Sequence, residues 1–238
     1  MCVRYNTIDE RWERFIRRLG VWKAIELPPK QYEMFPRHIG QIIRLSEHGG
    51  LELAEAKFGI IPPFPDASLF QRKPVVNARA EGGENRPIGI ENMTTFRDPF
   101  RYRRCLVPMT SYFEYGDRTP TGKAIIEIVP RGSEEFLVPG LWEPPNRHSE
   151  TPTFVLVTTA SNATLAPVHS RNLAMVEEEN MPLWFDHTAP MEAVKSLLAP
   201  PPDDWMEVLP GRAPERKEQL RRETSEKKPK PAEPSLFD

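Results

Sequence analysis

Cys2 is the first residue whose type and position suggest chemistry. If Met1 is removed, as the small second side chain leads us to expect, Cys2 presents an α-amine and a thiol on adjacent carbons. An α-amine has an ordinary pKa of about 7.7–8.0, so much of it is unprotonated near neutral pH, whereas a lysine amine is almost fully charged. An aldehyde that meets this terminus would form an imine with the amine. The thiol would then close a five-membered thiazolidine.

Two further segments place reactive or polar side chains at the ends of apolar runs. Asn77 and Arg79 follow Val75–Val76, and they offer an amide with both donor and acceptor and a planar guanidinium suited to phosphate. Glu114 lies within the aromatic segment Ser111–Tyr115, surroundings that suit a carboxylate to acid–base work. Taken alone, each is explained equally well by a strand end or a solvent-facing strand position.

A histidine completes the set of candidates. His169 follows the apolar run Phe154–Thr159 after a short loop, and Arg171 is two residues further on. Histidine exchanges a proton near neutral pH, so this position would suit a proton shuttle. A lone histidine is more often structural, and that alternative stays open on this motif alone.

The elements that must position these residues are mostly strands. Trp12, Phe15, Ile16 and Leu19 form one apolar stripe and predict a helix over residues 8–19. Apolar runs on either side of His48–Gly50 predict a hairpin that ends near Phe58. Further predicted strands are Pro74–Val76, Cys105–Met109, Ala124–Val129, Phe136–Leu141 and Phe154–Thr159, and a second helix is predicted over Met191–Leu198. This pattern is typical of a mainly antiparallel sheet or barrel.

Composition limits the class of protein. The chain has 238 residues, 39% of them hydrophobic, which is enough for a packed core without disulfides or metals. Its formal net charge of −2 requires any nucleic-acid binding to use a local basic patch. Its two cysteines do not make a disulfide framework and favour a reducing compartment. No signal-peptide or transmembrane run is present in the sequence, so we expect a cytoplasmic protein with no membrane contact.

The last part of the chain differs from the rest. Of residues 213–238, 13 are charged and four are proline, so this segment cannot bury enough apolar surface to fold. We therefore expect one folded domain over residues 1–212 and a disordered tail over residues 213–238. Leu236 and Phe237 place two apolar residues near the end of that tail, and they resemble the apolar pair of peptides that bind bacterial sliding clamps, without the usual upstream glutamine.

Four separated motifs occur together in this chain. They are MCVR at the start, PVVNARAEG over residues 74–82, RRCLVPMTSYFEYG over residues 103–116 and PVHSR over residues 167–171. With PGLWEPP and TFVLVTTAS, they resemble the SRAP family (SOS-response-associated peptidase) over about residues 1–212. The chain departs from common family patterns at Val3, where glycine is usual, in HSRNL at residues 169–173 in place of HxRMP, and in an altered aromatic loop over residues 58–64.

The resemblance implies a fold and a reaction. The fold is a compact α+β domain with a curved, barrel-like antiparallel sheet and flanking short helices. The function is capture of abasic sites in single-stranded DNA during replication or the SOS response, through a thiazolidine on the matured Cys2, after self-removal of Met1. By the same resemblance Glu114 is the acid–base residue, His169 assists proton transfer and Asn77 positions the Cys2 terminus.

The resemblance also implies the DNA contacts. Arg4, Arg79 and Arg171 are candidates for the phosphate backbone, and Phe64 is the candidate for base stacking. No cofactor and no metal is expected. The expected partner is single-stranded DNA with abasic sites, bound by a monomer that would be nucleoid-associated in a bacterium.

Two other classes of function remain open from the residues. An N-terminal nucleophile amidohydrolase of the glutaminase type would also use a matured cysteine, but Val3–Tyr5 is not the glycine-rich start common in such enzymes. A non-covalent reader of single-stranded or modified DNA would use basic residues with Phe64, Trp12 or Trp22 as stacking surfaces. Turnover of glutamine would favour the amidohydrolase. DNA binding without crosslinking would favour the non-covalent reader.

Overall fold

The computed structural model describes residues 3–8, 12–21, 33–64, 66, 68–82, 88–119 and 122–213. Its α-helices are Trp12–Arg18 (α1), Ser68–Arg72 (α2), Arg97–Tyr102 (α3), Met181–Phe185 (α4) and Met191–Ser196 (α5), with 3₁₀ turns at Ile90–Asn92 and Glu178–Asn180. Its strands are Tyr5–Asn6 (β1), Glu33–Met34 (β2), Ile39–Leu45 (β3), Leu51–Phe58 (β4), Asn77–Arg79 (β5), Arg104–Met109 (β6), Ser111–Thr119 (β7), Gly122–Pro130 (β8), Phe136–Glu143 (β9), Thr153–Ala160 (β10), Arg171–Leu173 (β11) and Met206–Val208 (β12).

The larger sheet closes on itself through β10. Strands β10, β4, β3, β6 and β9 are paired in that order, and β9 pairs again with β10. Beyond the ring, β5 and β11 continue along the two edges of β10. Closing the sheet satisfies backbone groups that an open edge would leave exposed. The predicted α+β domain with a curved sheet is thus confirmed, although β10 pairs in parallel with β4 and β5.

The smaller sheet incorporates the start of the described chain. Its strand order is β12-β8-β7-β1-β2, so β1 lies between β7 and β2. Tyr5 pairs with Tyr112 on β7 and with Met34 on β2, both antiparallel. The N-terminal strand is therefore held by hydrogen-bonded neighbours on both sides.

Two hydrophobic clusters fill the space on either side of the strands. The first packs helix residues such as Phe15, Phe100 and Trp184 against one face of the larger sheet. The second packs the other face against the smaller sheet, where Tyr5 meets Phe58 edge-on and Phe58 stacks on Phe154 at 5.2 Å between ring centroids. The alternating apolar pattern of the strands divides their side chains between these two cores.

Several predicted elements are confirmed with shifted ends. The hairpin β3–β4 and the helix α1 lie where the sequence predicts them, and Cys105 is a fully buried strand residue. The predicted strand Pro74–Val76 is wrong in its limits: only Val75 forms an isolated bridge, to Ile60, and the strand begins at Asn77. Because Pro74 has no backbone N–H to donate to a neighbouring strand, regular strand pairing begins further along the chain. No helix among the described residues has the length and apolar character needed to span a bilayer.

Trp184 is the largest fully buried side chain of the first core. Its Nε1 donates a hydrogen bond to the carbonyl of Cys105 at 3.0 Å, and its ring lies 6.2 Å from that of Phe100. We expect Trp184→Ala to reduce the free energy of unfolding by about 3–5 kcal/mol, because it leaves a cavity and removes the indole hydrogen bond to a buried carbonyl. Chemical denaturation measures this loss.

Two further variants separate packing from hydrogen bonding. Trp184→Phe retains most of the ring but loses the donor, so it should cost less than Trp184→Ala. Tyr102 is 51% exposed, and Tyr102→Ala should change stability by no more than about 0.5 kcal/mol. Equal losses for Trp184→Ala and Tyr102→Ala would contradict the packing described here.

Candidate active site

The register of β1 brings the start of the chain next to Glu114. Tyr5 pairs with Tyr112, and the amide of Phe113 donates to the carbonyl of Arg4 at 3.0 Å. The start of the described chain therefore runs along the strand that carries Glu114, two residues beyond Tyr112. Cys2 itself lies outside the described residues.

Glu114 is buried on the side of β7 that faces the second core. It is 4% exposed and is paired in register with Ile126 of β8. Side chains alternate along a strand, so Glu114 shares a face with Tyr112, which belongs to the second core. A carboxylate here is shielded from water beside the N-terminal strand.

Asn77 and Arg79 lie on β5, along the edge of β10. Asn77 pairs with Leu156, a residue of the second core, and Arg79 pairs with Thr158. Paired residues of neighbouring strands present their side chains to the same face. Asn77 and Glu114 therefore both border the second core from different sheets. Arg79 is exposed and available to a ligand in solution.

Arg171 and its neighbours form an ion cluster at the end of β10. The Arg171 guanidinium binds Glu81, and its Nη2 donates to the carbonyl of Thr158 at 2.7 Å. Arg79 Nε lies 4.0 Å from the same Glu81 carboxylate. The Arg171 side chain is only 10% exposed, so most of it is committed within the fold. Its contact with phosphate stays a prediction, as does that of Arg79.

His169 is oriented by the backbone that leads into β11. Its Nδ1 accepts a hydrogen bond from the amide of Arg171 at 2.9 Å. In the neutral ring this places the proton on Nε2, because the other nitrogen must offer its lone pair. The Ser161 hydroxyl also donates to the His169 carbonyl at 2.5 Å, which ties the start of this loop to its end.

Tyr112 and Asn172 connect the two sheets, and sequence reasoning did not single out either residue. The Tyr112 hydroxyl donates to Asn172 Oδ1 at 2.5 Å, and both side chains are buried. Tyr112 is two residues from Glu114, and Asn172 follows Arg171. The bond therefore links the strand of Glu114 to the segment of His169 and Arg171. The sequence feature that could have pointed to this contact is the altered HSRNL motif, which contains Asn172.

Arg4 is packed inside the fold. Its side chain is 5% exposed and forms an ion pair with Glu33. The guanidinium carbon lies 4.5 Å from the centre of the Phe113 ring and 5.4 Å from that of Phe35. These contacts fix the N-terminal strand, and a role for Arg4 in binding phosphate stays a prediction.

Phe64 lies in a loop held by the segment that precedes β10. Its carbonyl lies 2.6 Å from His148 Nε2, and Arg147 donates to the carbonyl of Pro63 at 3.0 Å. Phe64 is half-buried. Arg171, by contrast, belongs to a strand that pairs with the end of β10, so Phe64 is attached to a different part of the sheet from the ion cluster.

The second cysteine has no reactive environment. Cys105 is fully buried, and desolvation raises the pKa of its thiol, although the charge of Arg44 opposes this shift. A thiolate is the nucleophilic form of cysteine, so Cys105 is inert. Of the chain's two cysteines, only Cys2 remains as a candidate nucleophile. Among the described residues, no group of three or more His, Cys, Asp or Glu side chains is placed to hold a metal ion.

Comparison with known proteins decides the family. The profile of the family described as SOS response associated peptidase (SRAP) matches residues 1–212. The chain belongs to the SRAP family. A relative named abasic site processing protein YoqW, from Bacillus subtilis strain 168, is 30% identical over 160 residues, which cover 66% of this chain and 67% of the relative. The protein named abasic site processing protein YoaM, from the same strain, is 28% identical over 160 residues, with 66% of each chain covered.

Solved structures share the fold of this chain. A protein from Bacteroides thetaiotaomicron superimposes with a TM-score of 0.71 and 23% identity, covering 87% of this SRAP chain and 90% of its own. A protein from Bordetella bronchiseptica gives a TM-score of 0.68 and 21% identity, covering 87% and 98% respectively. At this level of identity the likeness concerns the fold alone.

Proposed function

We propose that this SRAP protein processes abasic sites in DNA, and that it does so by forming a covalent adduct through Cys2. The observation that carries the proposal is the pairing of β1 with β7, which joins the start of the described chain to the strand of the buried Glu114. The relatives named for abasic-site processing support the choice of substrate. Inert, buried Cys105 supports the choice of nucleophile.

The proposed reaction begins with release of the α-amine. Hydrolysis of the Met1–Cys2 peptide bond consumes one water and yields free methionine and the Cys2 amine. The ring-opened abasic sugar exposes an aldehyde, and the amine adds to its carbon. Loss of one water gives the imine. The Cys2 thiol then adds across the carbon–nitrogen double bond, its proton passes to nitrogen, and a thiazolidine results.

Each candidate site residue has its own role in this reaction. Glu114 accepts and returns protons during sugar ring opening and loss of water, because it is shielded from solvent beside the N-terminal strand. His169, with its neutral proton on Nε2, assists proton transfer at the imine. Asn77 holds the Cys2 terminus by hydrogen bonding. Arg79 and Arg171 provide positive charge for the phosphates, and Phe64 provides a ring for stacking.

The tail carries a separate proposal. Leu236 and Phe237 would bind a sliding clamp, and both lie outside the described residues. Comparing clamp pull-down by the full chain and by a chain lacking residues 213–238 separates this role from a solvated tail.

Intact mass spectrometry tests the crosslinking proposal. The purified protein should lack Met1, and incubation with a single-stranded oligonucleotide that carries an abasic site should add one oligonucleotide mass minus one water. A matched oligonucleotide with a tetrahydrofuran spacer has no aldehyde and should add nothing. If Met1 is removed and no adduct forms, the covalent proposal is wrong. Binding without an adduct would then favour a non-covalent reader, and glutamine turnover an amidohydrolase.

A further inference from the structure

A cavity adjoins the ion cluster of Arg79, Glu81 and Arg171. Its volume is about 550 Å³, and its wall includes Glu81, Glu91, Thr159 and Lys195. Thr159 is in the stretch of β10 that pairs with β11, so the cavity lies beside the strand that carries Arg171. None of the residues assigned above to the reaction or to DNA binding lines this cavity.

The wall of the cavity contains an ion pair between Lys195 and Glu91, and one oxygen of the Glu91 carboxylate is not used in that pair. Lys195 Nζ donates to Glu91 Oε1 at 2.8 Å. Glu91 Oε2 is buried and accepts no hydrogen bond in the described part of the chain. Gly89 leaves room for the Glu91 carboxylate in this position, because a Cβ at residue 89 would lie 2.4 Å from Glu91 Oε2. A buried acceptor without a donor is costly, and a ligand that supplies donors would relieve that cost once the carboxylate turns towards it.

The charges around the cavity are balanced. Glu81 is neutralised by Arg171, and Glu91 is neutralised by Lys195. The hydrogen bond with Glu91 raises the pKa of Lys195, so its amine stays a charged donor at neutral pH. The cavity therefore neither repels a nucleotide strongly nor provides a net positive site for a phosphate.

The ion pair presents a donor followed by two acceptors. These are Lys195 Nζ, Glu91 Oε1 and Glu91 Oε2, and a ligand would meet them in that order once the Glu91 carboxylate turns towards the cavity. Cytosine presents the same order on its Watson–Crick edge, and guanine is its complement, with one carbonyl oxygen followed by two N–H groups. The carbonyl would accept from Lys195 while the two N–H groups donate to the carboxylate. A carboxylate oxygen has lone pairs enough for a second bond.

We propose that this cavity binds the guanine base of a nucleotide next to the abasic site. The proposal rests on the proposed function for its DNA substrate. The remaining wall favours a flat, apolar ring, because it is built from small or apolar residues. These are Ala80, Gly82, Gly89, Ala160, Ser196, Leu198, Ala199 and Pro200. Arg79, the exposed member of the ion cluster, would then contact the phosphate that joins guanine to the abasic residue.

Binding measurements test this without depending on crosslinking. Fluorescence anisotropy compares oligonucleotides that contain a tetrahydrofuran spacer flanked by guanine, adenine, cytosine or thymine, on each side in turn. Guanine on one side should bind about 5- to 150-fold more tightly than the other bases, the range of one bidentate base contact. Glu91→Gln should remove that preference, because an amide offers one acceptor and one donor in place of two acceptors.

Glu192→Gln is the matched control. Glu192 also lies near Lys195, at 3.5 Å, but its side chain is 84% exposed and is not part of the cavity wall. This variant should keep the guanine preference. Lys195→Gln, which removes the ammonium donor, is the second test if Glu91→Gln does not fold, and it should weaken guanine binding alone.

Four outcomes decide the proposal. Loss of guanine preference in Glu91→Gln but not in Glu192→Gln supports it. Equal affinity for all four flanking bases, or a preference that survives Glu91→Gln, overturns it. Binding of free deoxyguanosine monophosphate as tight as that of the oligonucleotide would also overturn it, since the flanking DNA would then contribute nothing. Adduct formation with a natural abasic site is measured separately by intact mass. The tetrahydrofuran oligonucleotides cannot form an adduct, so failure of the crosslinking reaction is distinguishable from failure of this subsite.

Discussion

Cys2→Ala should abolish the covalent adduct with abasic single-stranded DNA. The variant keeps a free α-amine after Met1 is removed, because alanine is also small. It can still form an imine, but without the thiol it cannot close a thiazolidine, and the imine returns to aldehyde and amine in water. Denaturing electrophoresis after incubation should show no stable adduct, whereas borohydride added during incubation should trap the imine.

Cys105→Ala is the matched control for this experiment. Cys105 is the chain's other cysteine and is fully buried, so its removal should leave the adduct yield unchanged. The small cavity should cost only stability, about 1 kcal/mol. A stable adduct on Cys2→Ala, or a lost adduct on a folded Cys105→Ala, would show that the nucleophile has been assigned to the wrong residue.

The second large effect is expected at Glu114. Glu114→Gln has the same size but cannot accept and return a proton. Adduct formation should therefore slow by about 10²- to 10⁴-fold, the usual contribution of a positioned acid–base group. Rapid sampling of the adduct at saturating protein measures the first-order rate. Affinity for a tetrahydrofuran oligonucleotide should change little, because Glu114 is buried and does not contact the phosphates.

Glu127 offers a carboxylate in the same sheet for comparison. It lies on β8, where its Oε1 accepts a hydrogen bond from the Ser111 hydroxyl at 2.6 Å. Glu127→Gln keeps an oxygen acceptor for that bond, so the adduct should form at close to the normal rate. If Glu127→Gln and Glu114→Gln slow the reaction equally, the effect belongs to the smaller sheet as a whole and not to proton transfer by Glu114.

Local features of the chain were predictable because they depend on neighbours in sequence. The stripe Phe15, Ile16 and Leu19 repeats at helical spacing, and all three residues are buried in the first core. The hairpin β3–β4 follows from two apolar runs around a glycine turn. Strand limits were less predictable, as β5 shows: apolar character suggested Pro74–Val76, but the ladder begins only at Asn77.

The site was predictable as a set of residue types but not as an arrangement. Motif spacing identified Asn77, Glu114 and His169, yet it did not indicate that Arg171 would be bound by Glu81 or that Arg4 would be buried against Phe113. Ion pairs of this kind depend on which side chains lose contact with water. Burial is a property of the assembled sheets and not of the local sequence.

By itself, the sequence determined the residue types available to this protein: a cysteine at position 2, a carboxylate, a histidine and the motifs of the SRAP family. Tertiary structure alone decided how the segments that carry these groups are brought together. The pairing of β1 with β7 joins the start of the described chain to the strand that carries Glu114, and the Tyr112–Asn172 bond joins the two sheets across 60 residues of chain. Such contacts form because closing the larger sheet and packing both cores bury more apolar surface than any local arrangement, and that gain involves residues far apart in sequence.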